Sequence, residues 1–308
     1  MSDKKDTKIC SSEIEVLPRN ANDFIEQQLD DRISKIEDFL SADVIAFSGG
    51  LLFGVDDFLR DAIEQKCSKE PKHNKLVVIL TTSGGYIEVV HRIVDTMRRY
   101  YELVEFIVPN YAYSAGTVLV MSGDTIYMDY YSRLGPIDPQ VENQNGRSVP
   151  ALGYLEKYNE LISKAQKKQI TTAEVQLLIQ GFDQAELHQY EQARELSITL
   201  LKEWLVKYKF KNWKVTQTRQ MNVTKEMKTD RASAIASELN QTKRWHVHGY
   251  GISMDVLIND LNLLIDDFGK DQKFSNMIRA YHELLSDYMI KRNTNAVIHY
   301  AGHYSQIM

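Results

Sequence analysis

Residues 104–123 read VEFIVPNYAYSAGTVLVMSG, and how this stretch folds decides the rest. Residues 104–108 form a short, largely apolar run rich in β-branched side chains, the composition of a buried strand. Pro109 and Asn110 break the run. A turn of small and aromatic residues follows, and residues 118–121 are apolar again. The pattern predicts strand, sharp turn and buried helix, with Ser114 at the helix entrance. Ala112, Ala115 and Gly116 surround it. A hydroxyl there lies at the positive end of a helix dipole, where a developing alkoxide is stabilised, and small neighbours admit a substrate carbonyl. Taken alone, the same serine reads first as a helix cap, and only the rest of the chain reverses that reading.

The chain has 308 residues and a net charge of −5, which fits one large domain or one domain with an appendage. At 43% hydrophobic content it can bury a real core. No apolar run reaches about 18 residues, so no membrane span is expected. The opening MSDKKDTKICSSE is polar and does not read as a secretory signal. Two cysteines, Cys10 and Cys67, fit a reducing compartment, and a cytoplasmic location is expected. The acidic balance argues against nucleic acid as a partner. One basic stretch, KYKFKNWK at 207–214, interleaves lysine with aromatics as single-strand binders do. Standing alone in an acidic chain, it reads as a solvated rim. His246 and His248 have no Cys, Asp or Glu close by to complete a ligand set, so no metal is expected. No Walker motif occurs and no cofactor is called for.

Outward from 104–123, strands and helices alternate. A helix is expected at 21–40, a strand at 43–47 ending in Ser-Gly-Gly, and a helix from Asp56 to Cys67. A strand at 76–80 ends in Thr-Thr-Ser-Gly-Gly, and a helix spans 86–101. After the strand at 104–108 and the helix beyond Ser114, 125–128 reads as a short strand, 131–140 as a rigid turn and 141–150 as a polar loop. Helices are expected at 151–168, 171–181, 184–207, 230–239, 254–264 and 271–292, with 208–228 irregular. The alternation implies an α/β fold with a parallel sheet and right-handed crossovers. Sites in such sheets form beyond the carboxyl ends of the strands, where Gly49-Gly50, Gly84-Gly85 and Ser114 all fall. Amides of Gly84 and Gly85 could face Ser114 and bind an oxyanion. Alone, that glycine pair is an ordinary strand-to-helix turn. The expected organisation is a flexible arm at 1–20, a main domain at 21–268 with a helical insertion at about 150–182, and a C-terminal helix and tail at 269–308.

Ser83-Gly84-Gly85 after a strand, then Tyr113-Ser114-Ala115-Gly116, then LGPIDPQ at 134–140, resembles the Clp/crotonase superfamily. Ser48-Gly49 and GVDD at 54–57 fit the same pattern. Within the superfamily the chain is most similar to the serine-dehydrogenase-type (SDH) serine proteinases, relatives of ClpP and of signal peptide peptidase A. The likeness covers about residues 43–140, and more loosely the helix after Asp183 and the WHVHG segment at 245–249. It implies a fold of stacked ββα units with a helical C-terminal extension, and peptide-bond hydrolysis by a serine nucleophile. By position Ser114 would be that nucleophile, and Gly84, Gly85 and the amide of Ala115 would line the oxyanion site. It also implies a homo-oligomer enclosing the site, acting on peptides or unfolded protein. The general base departs from the ClpP pattern. Residues 136–138 fill the place of its histidine, and no His occurs between His91 and His188. Lys157 or Lys164 could form a Ser–Lys dyad, which needs a lysine pKa lowered by burial. His188, and His248 with His246, are the other candidates. Asp138 and Asp183 could orient a base, or serve as turn and helix-cap residues. The missing histidine also leaves room for a non-hydrolytic scaffold or a peptide- or acyl-binding protein, and more remotely for acyl-CoA chemistry.

Overall fold

Asn20 opens the first element. Its side chain accepts the amides of Asn22 and Asp23 at 2.9 and 3.1 Å, capping helix α1 (Ala21–Leu40). The structure, a computed structural model, describes residues 18–68, 73–137, 140–142, 148–216, 218–245 and 250–307. After α1 come β1 (Asp43–Ser48), α2 (Val55–Cys67), β2 (Lys75–Thr81), α3 (Ile87–Tyr100) and β3 (Leu103–Ile107). Then follow β4 (Tyr111–Ala112), α4 (Ala115–Met121), β5 (Thr125–Met128) and β6 (Arg133–Leu134). The expected polar loop contains a small hairpin, β7 (Gln140–Glu142) with β8 (Ser148–Pro150). Helices α5 (Ala151–Gln166), α6 (Thr172–Gln180), α7 (Gln184–Trp204), α8 (Lys225–Leu239) and α9 (Thr242–Trp245) come next. The chain ends through β9 (Ile252–Ser253), α10 (Met254–Asn259), β10 (Asp266–Asp267), α11 (Gln272–Lys291), β11 (Ala296–Tyr300) and β12 (His303–Ile307).

The main sheet has seven strands in the order β10-β5-β3-β2-β1-β11-β12. Strands β1, β2, β3, β5 and β10 run parallel, in the register Ala46↔Ile79 and Val78↔Phe106. A second, shorter layer crosses their carboxyl ends. It consists of the parallel bridges Leu51↔Gly85 and Thr82↔Ala112, continued by the sheet β4-β6-β9. Each of β1, β2 and β3 therefore leads into a short extended segment and then a helix, which is the repeated ββα pattern. Helices cover both faces of the main sheet. On one, Phe47, Leu80, Phe106, Ile93, Leu119 and Leu201 share a core. On the other, Val44, Val77 and Ile107 pack against Leu29 and Ile33 of α1 and Ile278 of α11. Among the described residues no helix is long and apolar enough to cross a membrane.

Beyond residue 150 the boundaries shift more. The helix expected at 184–207 ends at Trp204 and passes into a π-helical turn, Leu205–Lys209. In the basic stretch Phe210 is buried, Trp213 packs on the core, and Tyr208 carries the Arg98 guanidinium 3.7 Å over its ring. These aromatics serve packing. Helix α8 begins at Lys225 rather than 230, because the Thr224 hydroxyl accepts the Met227 amide and caps it there. Helix α10 stops at Asn259 rather than 264, and Asn262 (φ 46) turns the chain toward β10. The C-terminal tail is corrected most. It is a hairpin whose first strand pairs antiparallel with β1, placing Ile298 opposite Phe47. The expected arm at 1–20 lies outside the described residues up to residue 17.

Candidate active site

Three turns converge at the carboxyl rim of the parallel strands. The first follows β3. Residue 114 has φ 54 and ψ −120, a conformation that a side-chain-bearing residue adopts only under strain. Ser114 stands at the N-terminus of α4 and makes no capping bond to it, so the cap reading fails for the side chain. The residue is fully buried.

The second turn follows β2. Gly84 (φ +98) approaches the serine so closely that a Cβ there would lie 2.8 Å from Ser114 Cβ and 2.7 Å from the Tyr113 carbonyl. Only glycine fits that gap. The Gly84 carbonyl accepts the Leu51 amide at 2.9 Å, and the Leu51 carbonyl accepts the Tyr86 amide at 2.9 Å. The peptide joining Gly84 to Gly85 is planar and trans, so its N–H points opposite to its carbonyl, away from Leu51. The Gly84 amide itself donates to Thr82 Oγ1 at 3.1 Å. Among the described residues, the amides of Gly85 and Ala115 have no acceptor. This divides the three amides expected at the oxyanion site: Gly84 supplies the close approach, while Gly85 and Ala115 keep their donors.

The third turn is LGPIDPQ. Thr117, buried one position past Gly116 in α4, accepts the Gly135 amide at 2.9 Å and lies 2.9 Å from the carbonyls of Ala112 and Gly135. A Cβ on Gly135 would stand 3.2 Å from the Ser114 nitrogen. The Ile137 amide donates to the Leu239 carbonyl at 3.0 Å, tying this turn to the end of α8. Thr82 and Thr117 were not singled out from the sequence. The signal for Thr82 was a hydroxyl two residues ahead of a glycine, a side-chain-to-backbone turn.

Stacked aromatics flank these turns. Phe53, 67% exposed, stacks on Tyr86 with ring centres 4.4 Å apart. Tyr111 stacks on Tyr113 at 5.0 Å.

Three of the candidate bases, Lys157, Lys164 and His188, are described, and each lies on a helix of the C-terminal half. Lys157 is exposed on α5 and pairs with Glu160 at 3.0 Å. Lys164 bonds to Glu174 at 2.7 Å and Glu160 at 2.9 Å. These hydrogen bonds raise its pKa, opposite to what a lysine base requires. His188 is exposed near the start of α7. Asp183 caps α7, accepting the amides of Ala185 and Glu186 at 2.8 and 3.0 Å. Asp138, His246 and His248 lie outside the described residues. Among the described residues no group of three or more His, Cys, Asp or Glu is placed to hold a metal ion.

A family model described as ClpP-like SDH-type serine proteinase matches residues 55–218, more than half of the chain. Two uncharacterized proteins of Methanocaldococcus jannaschii are similar over shorter stretches. MJ0137 is 35% identical over 79 residues, 26% of this chain, and MJ1495 is 30% identical over 88 residues, 29% of this chain. In both cases the match spans 28% of the relative's own length. Among solved structures, ClpP1 from Listeria monocytogenes is 10% identical, with 78% of this chain and 94% of that one covered and a TM-score of 0.40. A membrane-bound stomatin-specific protease in complex with a substrate peptide is 13% identical, with 85% and 84% covered and a TM-score of 0.42.

Proposed function

The chain belongs to the family of ClpP-like SDH-type serine proteinases, and on that premise we propose that it is a serine peptidase with Ser114 as nucleophile. The observation that carries this reading is the approach of Gly84 to Ser114, which sets a strained serine against a glycine turn. Ser114 Oγ attacks the peptide carbonyl and gives its proton to a base. The carbonyl oxygen takes up the electron pair and is held by the amides of Gly85 and Ala115, a contribution typically worth about 10²–10³ in rate per donor. Collapse of this intermediate expels the amine, which takes the proton from the base. Water, giving a proton to the same base, then attacks the acyl-serine ester and releases the acid, and the proton returns to Ser114 Oγ. For the base we retain His248, with His246 beside it. Lys157 and Lys164 are engaged with carboxylates, and His188 is exposed. The segment holding the two histidines leads into β9, which joins β4 through β6 in the small sheet. A homo-oligomer, and peptides or unfolded protein as substrate, belong to the same proposal.

The complete burial of Ser114 favours a second reading, a non-hydrolytic scaffold or a protein that binds a peptide or acyl group. A fluorophosphonate probe separates the two. Under the peptidase reading the probe labels Ser114 in the purified protein, and Ser114→Ala loses both the label and casein hydrolysis while its circular dichroism is unchanged. A folded wild-type chain that takes no label supports the scaffold. Turnover surviving Ser114→Ala overturns the proposed nucleophile.

A further inference from the structure

We infer that Thr82 is a positioning residue that sets the aim of the Gly85 amide, an inference that rests on the peptidase reading. Thr82 is buried and touches both halves of the site. Its amide donates to the Tyr111 carbonyl, and its carbonyl accepts the Tyr113 amide, each at 3.0 Å. Those two bonds fix it to the segment immediately ahead of Ser114. Its hydroxyl accepts the Gly84 amide at 3.1 Å, which fixes the glycine turn. Its methyl lies over the first turn of α4, where a Cβ on Gly116 would meet it at 2.4 Å. One residue thus holds the serine turn through its backbone, and the glycine turn and the helix start through its side chain.

The consequence for the oxyanion donor follows from peptide geometry. Two peptide planes set the direction of the Gly85 N–H. The plane between Ser83 and Gly84 is pinned by its N–H on Thr82 Oγ1. The plane between Gly84 and Gly85 is pinned by its carbonyl on the Leu51 amide. Glycine has no Cβ to restrict rotation between these planes, and Gly84 sits at the joint with φ +98. Release of the first plane leaves the second held only from the Leu51 side. An oxyanion donor acts by being aimed before the charge develops, so a freed Gly84 weakens the transition state more than the bound substrate.

Thr82→Val keeps the shape and removes the hydroxyl, whereas Thr82→Ser keeps the hydroxyl and removes the methyl. The Val variant is expected to lower kcat roughly tenfold or more, with KM within about twofold. Amide hydrogen exchange at Gly84 should accelerate in the same variant. The Ser variant should restore kcat and the slow exchange even though it unfolds at lower denaturant. A purely structural role predicts the reverse, with Ser the more damaging change. Wild-type kcat in Thr82→Val, or an unchanged Gly84 exchange rate, overturns the inference. If the wild-type chain hydrolyses nothing and takes no label while Gly84 exchange still responds, the peptidase reading falls and the hold of Thr82 on the turn stands.

Discussion

Gly54 and Gly84 have nearly the same φ, +94 and +98, yet they answer to different demands. Gly54 has no atom within 4 Å of where a Cβ would stand. Its only constraint is the left-handed backbone, worth about 1–2 kcal/mol against an alanine. Gly84 carries the same backbone term, and its Cβ would also press on the Tyr113 carbonyl and Ser114 Cβ within 2.8 Å. Neither partner is the free end of a flexible side chain, so the serine turn must shift. Gly84→Ala is therefore expected to lower the urea midpoint by more than Gly54→Ala and to abolish fluorophosphonate labelling. Gly54→Ala should lose about 1–2 kcal/mol and keep its label. Equal losses of stability, with labelling intact in both, would refute the close approach. Much of this residue-scale detail was legible. Gly84, Gly85 and Ser114 stand out because glycine pairs and small-residue turns are local signals. The threonines stayed hidden because their meaning is a partner elsewhere. Thr117 works through Gly135, and Thr82 reads as one more β-branched residue at a strand end.

At the scale of elements, the π-helical turn after α7 is the feature with a measurable signature. It delivers Lys209 to the starting edge of the parallel strands, where the amine donates to the Asp124 carbonyl at 3.4 Å. Burial pushes the Lys209 amine down to about 8, against the opposing pull of Asp266, Asp124 and Glu105. The ordinary value is 10.5. Below pH 8 the amine is charged in both folded and unfolded chains, and the full desolvation penalty is present. Between about 8 and 10.5 the folded chain sheds the proton while the unfolded chain keeps it. The unfolded state then binds more protons, so this group's contribution to stability rises with pH. Relative to Lys209→Met, the wild-type chain should gain about 2 kcal/mol between pH 7.5 and pH 10 in urea melts. A constant gap would mean that the amine titrates at its ordinary value. The sequence showed the helix but not this turn. A π-turn leaves the apolar spacing of Leu200, Leu201 and Leu205 nearly intact, and what it changes, the packing of Tyr208 beneath Arg98, is a contact with a distant helix.

At the scale of the whole molecule, the C-terminal hairpin shows which parts of the fold were unreadable locally. The run Ala-Val-Ile-His-Tyr, a two-residue turn ending in Gly302 (φ 77) and five further residues form a hairpin pattern. Half of its side chains are polar, so it passes for a tail until β1, about 250 residues earlier, is set beside it. Strand β11 covers the edge of β1 and closes over the first glycine turn, where a Cβ on Gly49 would meet Ala296 Cβ at 2.5 Å. Its buried His299 bonds through Nδ1 to the Tyr281 hydroxyl at 2.7 Å and through Nε2 to Asp30 at 3.1 Å, joining the sheet to α11 and α1. Val297, Ile298 and Tyr300 are also buried. Three such side chains contribute roughly 5–9 kcal/mol on burial, comparable with the whole net stability of a typical domain, about 5–15 kcal/mol. Removal also bares the edge of β1, a template for pairing with other chains. A chain ending at Asn295 is therefore expected to aggregate on gel filtration and to lose its cooperative thermal transition. The milder His299→Phe leaves Tyr281 without its hydrogen-bond partner and Asp30 with the Gly302 amide alone, and should remain folded about 1–3 kcal/mol less stable. A truncated chain that elutes as the full-length protein does, with the same melting temperature, would show that β1 closes its edge without the hairpin.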